Sequence, residues 1–192
     1  SEPPYRLVDL GDRRVLTVDG VDHATGYSER VIRMLIERKG ARRAPLYFPF
    51  KTSRGRHFLD PLLRYLRGCG ARDLCVLEVG CSFGHITEYV AEQPEVARLV
   101  TFDTDPAFVA IVRAKVEDLG LAKVREVALF GKDETRRLPY PDGAFDLVLV
   151  IGVIEHLPPP SRPAQVDEYY RVLAPGGHIA ILDTPNRAFP LE

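Results

Sequence analysis

The sequence predicts an α/β protein with a doubly wound, mostly parallel sheet, and three observations carry that prediction. From Leu74 onward, short apolar runs alternate with segments of helical periodicity. One of those runs, FDLVLVIG, is apolar almost throughout, as a strand covered by helices on both faces must be. The stretch VLEVGCSFGHIT (residues 76–87) passes from an apolar run through a two-glycine turn straight into a helix start.

Taken in order, YRLVDLGDRRVLTVDG reads as two strands around Gly11-Asp12. SERVIRMLIERKG reads as a helix, with Val31 and Leu35, Ile32 and Ile36 at helical spacing, Ser28 as its cap and Gly40 as its stop. The proline-containing ARRAPLYFPFKTSRGR is expected to be a loop, and Asp60-Pro61 the cap and first turn of DPLLRYLRG. These segments divide into an N-terminal extension (1–52) and a core (53–192). In the core, LCVLEV, RLVTFD, VREVALF, FDLVLVIG and HIAILD are strands one to five. GHITEYVAEQ, PAFVAIVRAKVEDLG and RPAQVDEYYRVL are the intervening helices, the last broken by Pro175-Gly176-Gly177.

Bulk properties narrow the partners. Net charge is −1 over 192 residues, which gives no support to nucleic acid or a membrane surface held by bulk electrostatics. No apolar run approaches the roughly 20 residues that span a bilayer, and SEPPYRLVDLGD lacks a secretory layout. Cys69, Cys75 and Cys81 suit neither a disulfide framework nor a CxxC metal site, so a reducing cytoplasm is expected.

Ligands of doubly wound sheets bind beyond the carboxyl ends of the strands, where strand order reverses. This singles out EVGCSFG, FDTDP and IGVIEH. Gly80 permits a sharp turn close to a ligand, and Gly84 close packing of the next helix on the strand. The turn offers G-x-x-x-G where a dinucleotide fingerprint needs G-x-G-x-x-G, with Ser82 where a glycine is expected. Glu78 is a poor neighbour for a pyrophosphate and a good one for a cation. Taken alone, the turn is as consistent with simple strand-to-helix geometry. Asp103 lies 23 residues after Gly80, at the end of the second strand, where an acid holds ribose hydroxyls; Asp105 reads as a helix cap. Together the two loops indicate a nucleoside ligand without choosing which.

With LPYPDGAFDLVLVIGVIEHLPPP and YYRVLAPGGHIAIL, the chain from Leu74 to Asn186 resembles class I S-adenosylmethionine-dependent methyltransferases, closest to the broad group acting on small molecules. The resemblance implies a Rossmann-like methyltransferase fold and S-adenosylmethionine as cofactor. It implies that Glu78, Gly80, Cys81 and Gly84 line the methionine end, that Asp103 holds the ribose and that Thr104 flanks the adenine. Asp133 or Glu134 would meet the adenine amino group, with Glu134 the better aligned, and Ile151 would contact the cofactor through its backbone. Because this cofactor carries no phosphate, the turn needs no three-glycine cradle and Glu78 compensates positive charge.

Glu155 and His156 are the candidate catalytic pair, His156 as a base with an ordinary pKa near 6.5. The same pair is equally consistent with shaping the acceptor pocket. No metal is expected, because Gly152 stands where the quinone-pathway E-x-x-E-H pattern has its first glutamate. Arg54 and Arg56 are within reach of the cofactor carboxylate, though surface solvation is the stronger reading; Tyr47, Phe48 and Phe50 either cover an acceptor or pack helices. Only nine residues follow Asp183, too few for the antiparallel strand pair that usually closes the family's sheet. A fragment, or a fifth-strand edge covered by the N-terminal extension, a second copy or another chain, is therefore expected. A small-molecule methyltransferase is the favoured function. The alternatives are a non-catalytic cofactor-binding module and an NAD(P)-dependent oxidoreductase.

Overall fold

The computed structural model describes residues 5–182; the segment TPNRAFPLE, expected to be too short for the family's closing strand pair, lies outside the described residues. Five parallel strands form the central sheet: β4 (Leu74–Val79), β5 (Val96–Asp103), β6 (Val124–Leu129), β7 (Phe145–Ile151) and β8 (Leu173–Leu182). Their spatial order is β6-β5-β4-β7-β8, so strand order reverses at β4, between β5 and β7. The doubly wound sheet predicted from the alternating pattern is thus present. Pro175-Gly176-Gly177 does not precede the last strand but bulges within it, where pairing jumps from Phe145↔Leu173 to Leu147↔His178.

Strand periodicity sorts the core into two layers. Val76, Leu99, Leu147 and Leu149 meet Leu59, Leu63 and Leu66 of α2 (Phe50–Gly68) and Val90 and Ala91 of α3 (His85–Ala91). Leu77, Val79, Phe102, Val148 and Val150 meet Tyr169 and Val172 of α5 (Arg162–Val172) on the opposite face. α4 (Pro106–Asp118) is capped by Asp105, whose carboxylate accepts from Ala107 N–H at 2.8 Å, as the sequence suggests. α2 begins eleven residues earlier than expected, at Phe50 in place of Pro61, and runs through Asp60-Pro61. Asp60 does not cap it; instead its carboxylate accepts the Tyr89 hydroxyl of α3. The boundary placed between residues 52 and 53 falls inside this helix.

The N-terminal part holds three antiparallel strands, β1 (Tyr5–Asp9), β2 (Arg14–Val18) and β3 (Val21–Thr25), where the sequence suggested two. Asp19 and Gly20 both adopt positive φ (51° and 80°), the geometry of a tight hairpin turn that Asp-Gly favours. α1 (Glu29–Lys39) follows, started by the Ser28 hydroxyl on Val31 N–H and stopped at Gly40. Its buried face, Val31, Ile32, Leu35 and Ile36, packs with Leu16 and Val18 against Ile111 and Ala114 of α4 and Phe83.

A buried polar cluster lies between these layers. Lys115 of α4 pairs with Glu88 of α3 at 2.6 Å and donates to the Tyr27 hydroxyl at 3.1 Å, while that hydroxyl donates to Glu88 at 2.9 Å. All three residues are nearly inaccessible. The ammonium also sits 4.2 Å from the Tyr27 ring centroid. Removing one partner leaves the other charge buried and uncompensated, which typically costs about 3–5 kcal/mol. No helix of the described residues is long and apolar enough to cross a membrane. Chemical denaturation of Lys115→Met is expected to show a destabilisation of about 3–5 kcal/mol, with Lys115→Met/Glu88→Leu recovering much of it. Equal losses in both variants would show that the ion pair does not hold the layers together.

Candidate functional site

The carboxyl ends of β4, β5 and β7 open into a cavity of about 1170 Å³ at the point where strand order reverses. Single small-molecule sites commonly occupy roughly 300–1,000 Å³, so this one has room for two ligands side by side.

The turn after β4 is built by its backbone. Gly80 has φ 77°, and a Cβ there would lie 2.8 Å from Val153 Cγ2 in the loop after β7, so the two loops meet at this residue. Ser82 has φ 47°, the left-handed region where glycine is favoured, although it carries a side chain. Its N–H donates to Asp103 Oδ2 at 2.9 Å. Asp103 Oδ1 meanwhile accepts from Thr104 and Asp105 N–H at 2.7 and 3.0 Å. Three of the roughly four acceptor positions of the carboxylate are used in this way, which leaves one on Oδ2. Gly84 (φ 78°) caps α3 but does not line the cavity; a Cβ there would lie 2.9 Å from Val112 Cγ2. Its smallness lets α3 approach α4, not the strand.

Glu78 is buried at the floor, where Thr87 Oγ1 donates to its Oε2 at 2.6 Å. Burial pushes its pKa up to about 7; the Thr87 and Thr101 hydroxyls partly offset this, and the nearby Asp103 adds to it. Burial, with the Glu78 and Asp103 charges, also pushes the Cys81 thiol up, so Cys81 is a protonated filler and no nucleophile.

Of the paired candidates after β6, Asp133 lines the cavity, 3.4 Å from Arg136. Glu134 turns away to accept Gly131 N–H and is not among the lining residues. Thr104, Ile151, Glu155 and His156 all line it. Glu155 and His156 sit on a one-turn helix (Ile154–His156), Nε2 to Oε1 4.0 Å. The His156 side chain is 79% exposed.

The roof comes from the N-terminal part, which sequence reasoning left largely unassigned. Lys39 at the end of α1 lies 5.0 and 5.5 Å from the Phe83 and Tyr47 ring centroids, with no carboxylate within salt-bridge distance among the described residues. The Tyr47 carbonyl accepts from His85 Nε2 at 2.9 Å, which fixes the proton on that nitrogen. Burial, with Lys115 adding to it, drives the His85 pKa down to about 3, so the ring is a neutral strut between roof and core. Arg54 lines the cavity and Arg56 does not. A lysine ending an amphipathic helix is a common surface feature, so only the aromatic rings beside Lys39, distant in sequence, reveal its place.

Glu78 and His85 act on stability in opposite directions. Between pH 4.5 and 7 the folded state keeps a proton on Glu78 that the unfolded chain has released, so stability falls as pH rises. Between pH 3 and 6.5 the unfolded chain holds a proton on His85 that the folded state refuses, so stability rises with pH. Over the overlap, pH 4.5 to 6.5, the two largely cancel. Urea titrations of Glu78→Gln are expected to expose the His85 rise, about tenfold in the unfolding constant per pH unit relative to wild type. Parallel pH profiles for the two proteins would place Glu78 in a more polar setting than its burial indicates.

Comparison with known proteins agrees with this architecture. The sequence profile of the methyltransferase-domain family matches residues 76–177. Demethylmenaquinone methyltransferase of Thermus thermophilus is 34% identical over 57% of this chain and 47% of its own length. Norajmaline N-methyltransferase of Rauvolfia serpentina is 34% identical over 58% of this chain and 36% of its own. The chain therefore spans less than half the length of these two relatives. A SAM-dependent methyltransferase structure from Aquifex aeolicus shares the fold, with a TM-score of 0.51, 24% identity and coverage of 66% of this chain and 65% of that one. The strand order, the turn over Glu78 and the match over residues 76–177 place this chain in the methyltransferase-domain family, among the class I S-adenosylmethionine-dependent methyltransferases, whose cofactor is S-adenosylmethionine.

Proposed function

We propose that this protein transfers a methyl group from S-adenosylmethionine to a small-molecule acceptor. The observation that carries the reading is the pairing of a buried carboxylate held by Thr87, Glu78, with a backbone-locked one, Asp103, across a turn that has no three-glycine phosphate cradle. Such a floor fits a cationic, phosphate-free nucleoside and repels a pyrophosphate.

When bound, the sulfonium supplies an activated methyl carbon and a neutral thioether leaving group. The rest is positioning. Asp103 takes one ribose hydroxyl on the open position of Oδ2; a second would have to displace a backbone donor. Thr104 flanks the adenine, Asp133 accepts from its amino group, and Ile151 contacts the cofactor through its backbone. Gly80 and Cys81 let the backbone approach the methionine end, and Glu78 balances its positive charge. Lys39, half-buried over Tyr47 and Phe83, neutralises the cofactor carboxylate from the roof. His156, open to solvent beside the cavity, takes a proton from an acceptor that must lose one. The acceptor occupies the cavity volume beyond the nucleoside, against the loop after β7.

The two relatives named above are, by name, methyltransferases of demethylmenaquinone and of norajmaline, which supports a small-molecule acceptor. Calorimetry is expected to show micromolar binding of S-adenosylmethionine and none of NAD or NADP. Asp103→Ala should weaken it by about 10–100-fold, the value of one or two hydrogen bonds to a charged group, and Lys39→Met by about tenfold. Tight NAD binding, or affinity indifferent to Asp103, would overturn the reading.

A further inference from the structure

The charges lining the cavity are unequally occupied. Glu78 is held by Thr87, Asp103 by three backbone N–H groups, and Asp133 lies beside Arg136. Glu155 differs. Its Oε2 is shut off from solvent, and no N–H or O–H of the described residues donates to it. Arg162, whose guanidinium reaches this loop, donates instead to the backbone carbonyls of Leu157 and Glu155, at 3.0 and 3.3 Å. Those bonds fix the loop and leave the carboxylate alone. His156 approaches no closer than 4.0 Å, and only Oε1.

An unsatisfied, desolvated carboxylate oxygen is costly, on the order of 1–3 kcal/mol or more, and such groups in native structures call for an explanation. Glu155 has one available in its position. Gly80 packs on Val153, two residues earlier, so the Glu155 loop presses against the turn that holds the reactive end of the cofactor. It does so from the β7 side of β4, whereas Asp103 approaches from the β5 side. A ligand group next to Glu155 therefore belongs to the acceptor, and it is one that brings a hydrogen to a carboxylate.

We propose that Glu155 recognises the acceptor, and that the acceptor is an amine whose N–H groups satisfy this carboxylate after a small side-chain rotation. This rests on the methyltransferase reading above. A cationic amine suits the site better than an alcohol because it meets a full negative charge, and a carboxylate-bearing acceptor is repelled. The bound ammonium gives one proton to His156, which passes it to solvent. The freed lone pair then forms the N–C bond as the methyl C–S bond breaks, its electron pair going to sulfur. The product is an N-methylammonium that still faces Glu155.

The test is calorimetric, with protein saturated by S-adenosylhomocysteine and two matched probes, phenethylamine and 3-phenylpropionate. Wild type is expected to bind the amine at least tenfold more tightly than the carboxylate. Glu155→Gln should lose about tenfold for the amine, none for the carboxylate, and none for S-adenosylhomocysteine. Equal or tighter binding of 3-phenylpropionate, no measurable binding of phenethylamine, or an amine affinity unchanged in Glu155→Gln would overturn the assignment. The saturation step is read first: if S-adenosylhomocysteine does not bind, the methyltransferase reading falls and takes this inference with it. If it binds and the probes behave otherwise, only the role of Glu155 falls.

Discussion

The Asp103 carboxylate ties the site together. It ends β5 and simultaneously accepts the N–H of Ser82, in the turn after β4, and those of Thr104 and Asp105. Two neighbouring strands thus deliver their loops to one fixed point. Ser82 is held in a left-handed conformation that a serine rarely adopts, and its bond to Asp103 offsets part of that cost. Without this tether the turn would have no reason to keep its shape, and the cavity would lose the wall on which the remaining chemistry depends.

Around that point the protein separates its charges by layer. The floor is acidic and desolvated at Glu78. The roof is cationic and aromatic, with Lys39 over Tyr47 and Phe83. Roof and floor belong to different parts of the chain, and two polar devices join them: the neutral His85 on the Tyr47 carbonyl, and the Lys115–Glu88–Tyr27 cluster behind it. Both are buried, so both are directional where apolar packing alone is not. They set how the roof sits over the turn, and with it the shape of the space left for a second molecule.

Much of this was legible in the residues. The parallel sheet followed from apolar runs at regular intervals, and the positions of Glu78 and Asp103 followed from where such sheets bind ligands. The caps Ser28 and Asp105 were readable because capping is local. The failures were failures of non-local information. Asp19-Gly20 did carry a local hairpin signal, so β3 was recoverable. The early start of α2 was not: Asp60, the residue that reads locally as its cap, takes its partner, Tyr89, from another helix. Gly84 has the right residue type for close approach, but its neighbour is Val112 of α4, a contact no spacing rule supplies. Lys115 occupies an apolar-stripe position of α4, three residues after Val112, and its two partners lie 27 and 88 residues away. Adjacent acids were the hardest case. Asp133 and Glu134 differ by one position, yet one lines the cavity and the other closes its own turn.

A crystal structure with S-adenosylhomocysteine bound tests the central claim most directly. The sugar is expected against Asp103 Oδ2 at hydrogen-bond distance, with the Ser82 N–H bond retained and the sulfur over the Gly80 turn. A nucleoside bound elsewhere, or one in the cavity with Asp103 turned away from it, would contradict the account.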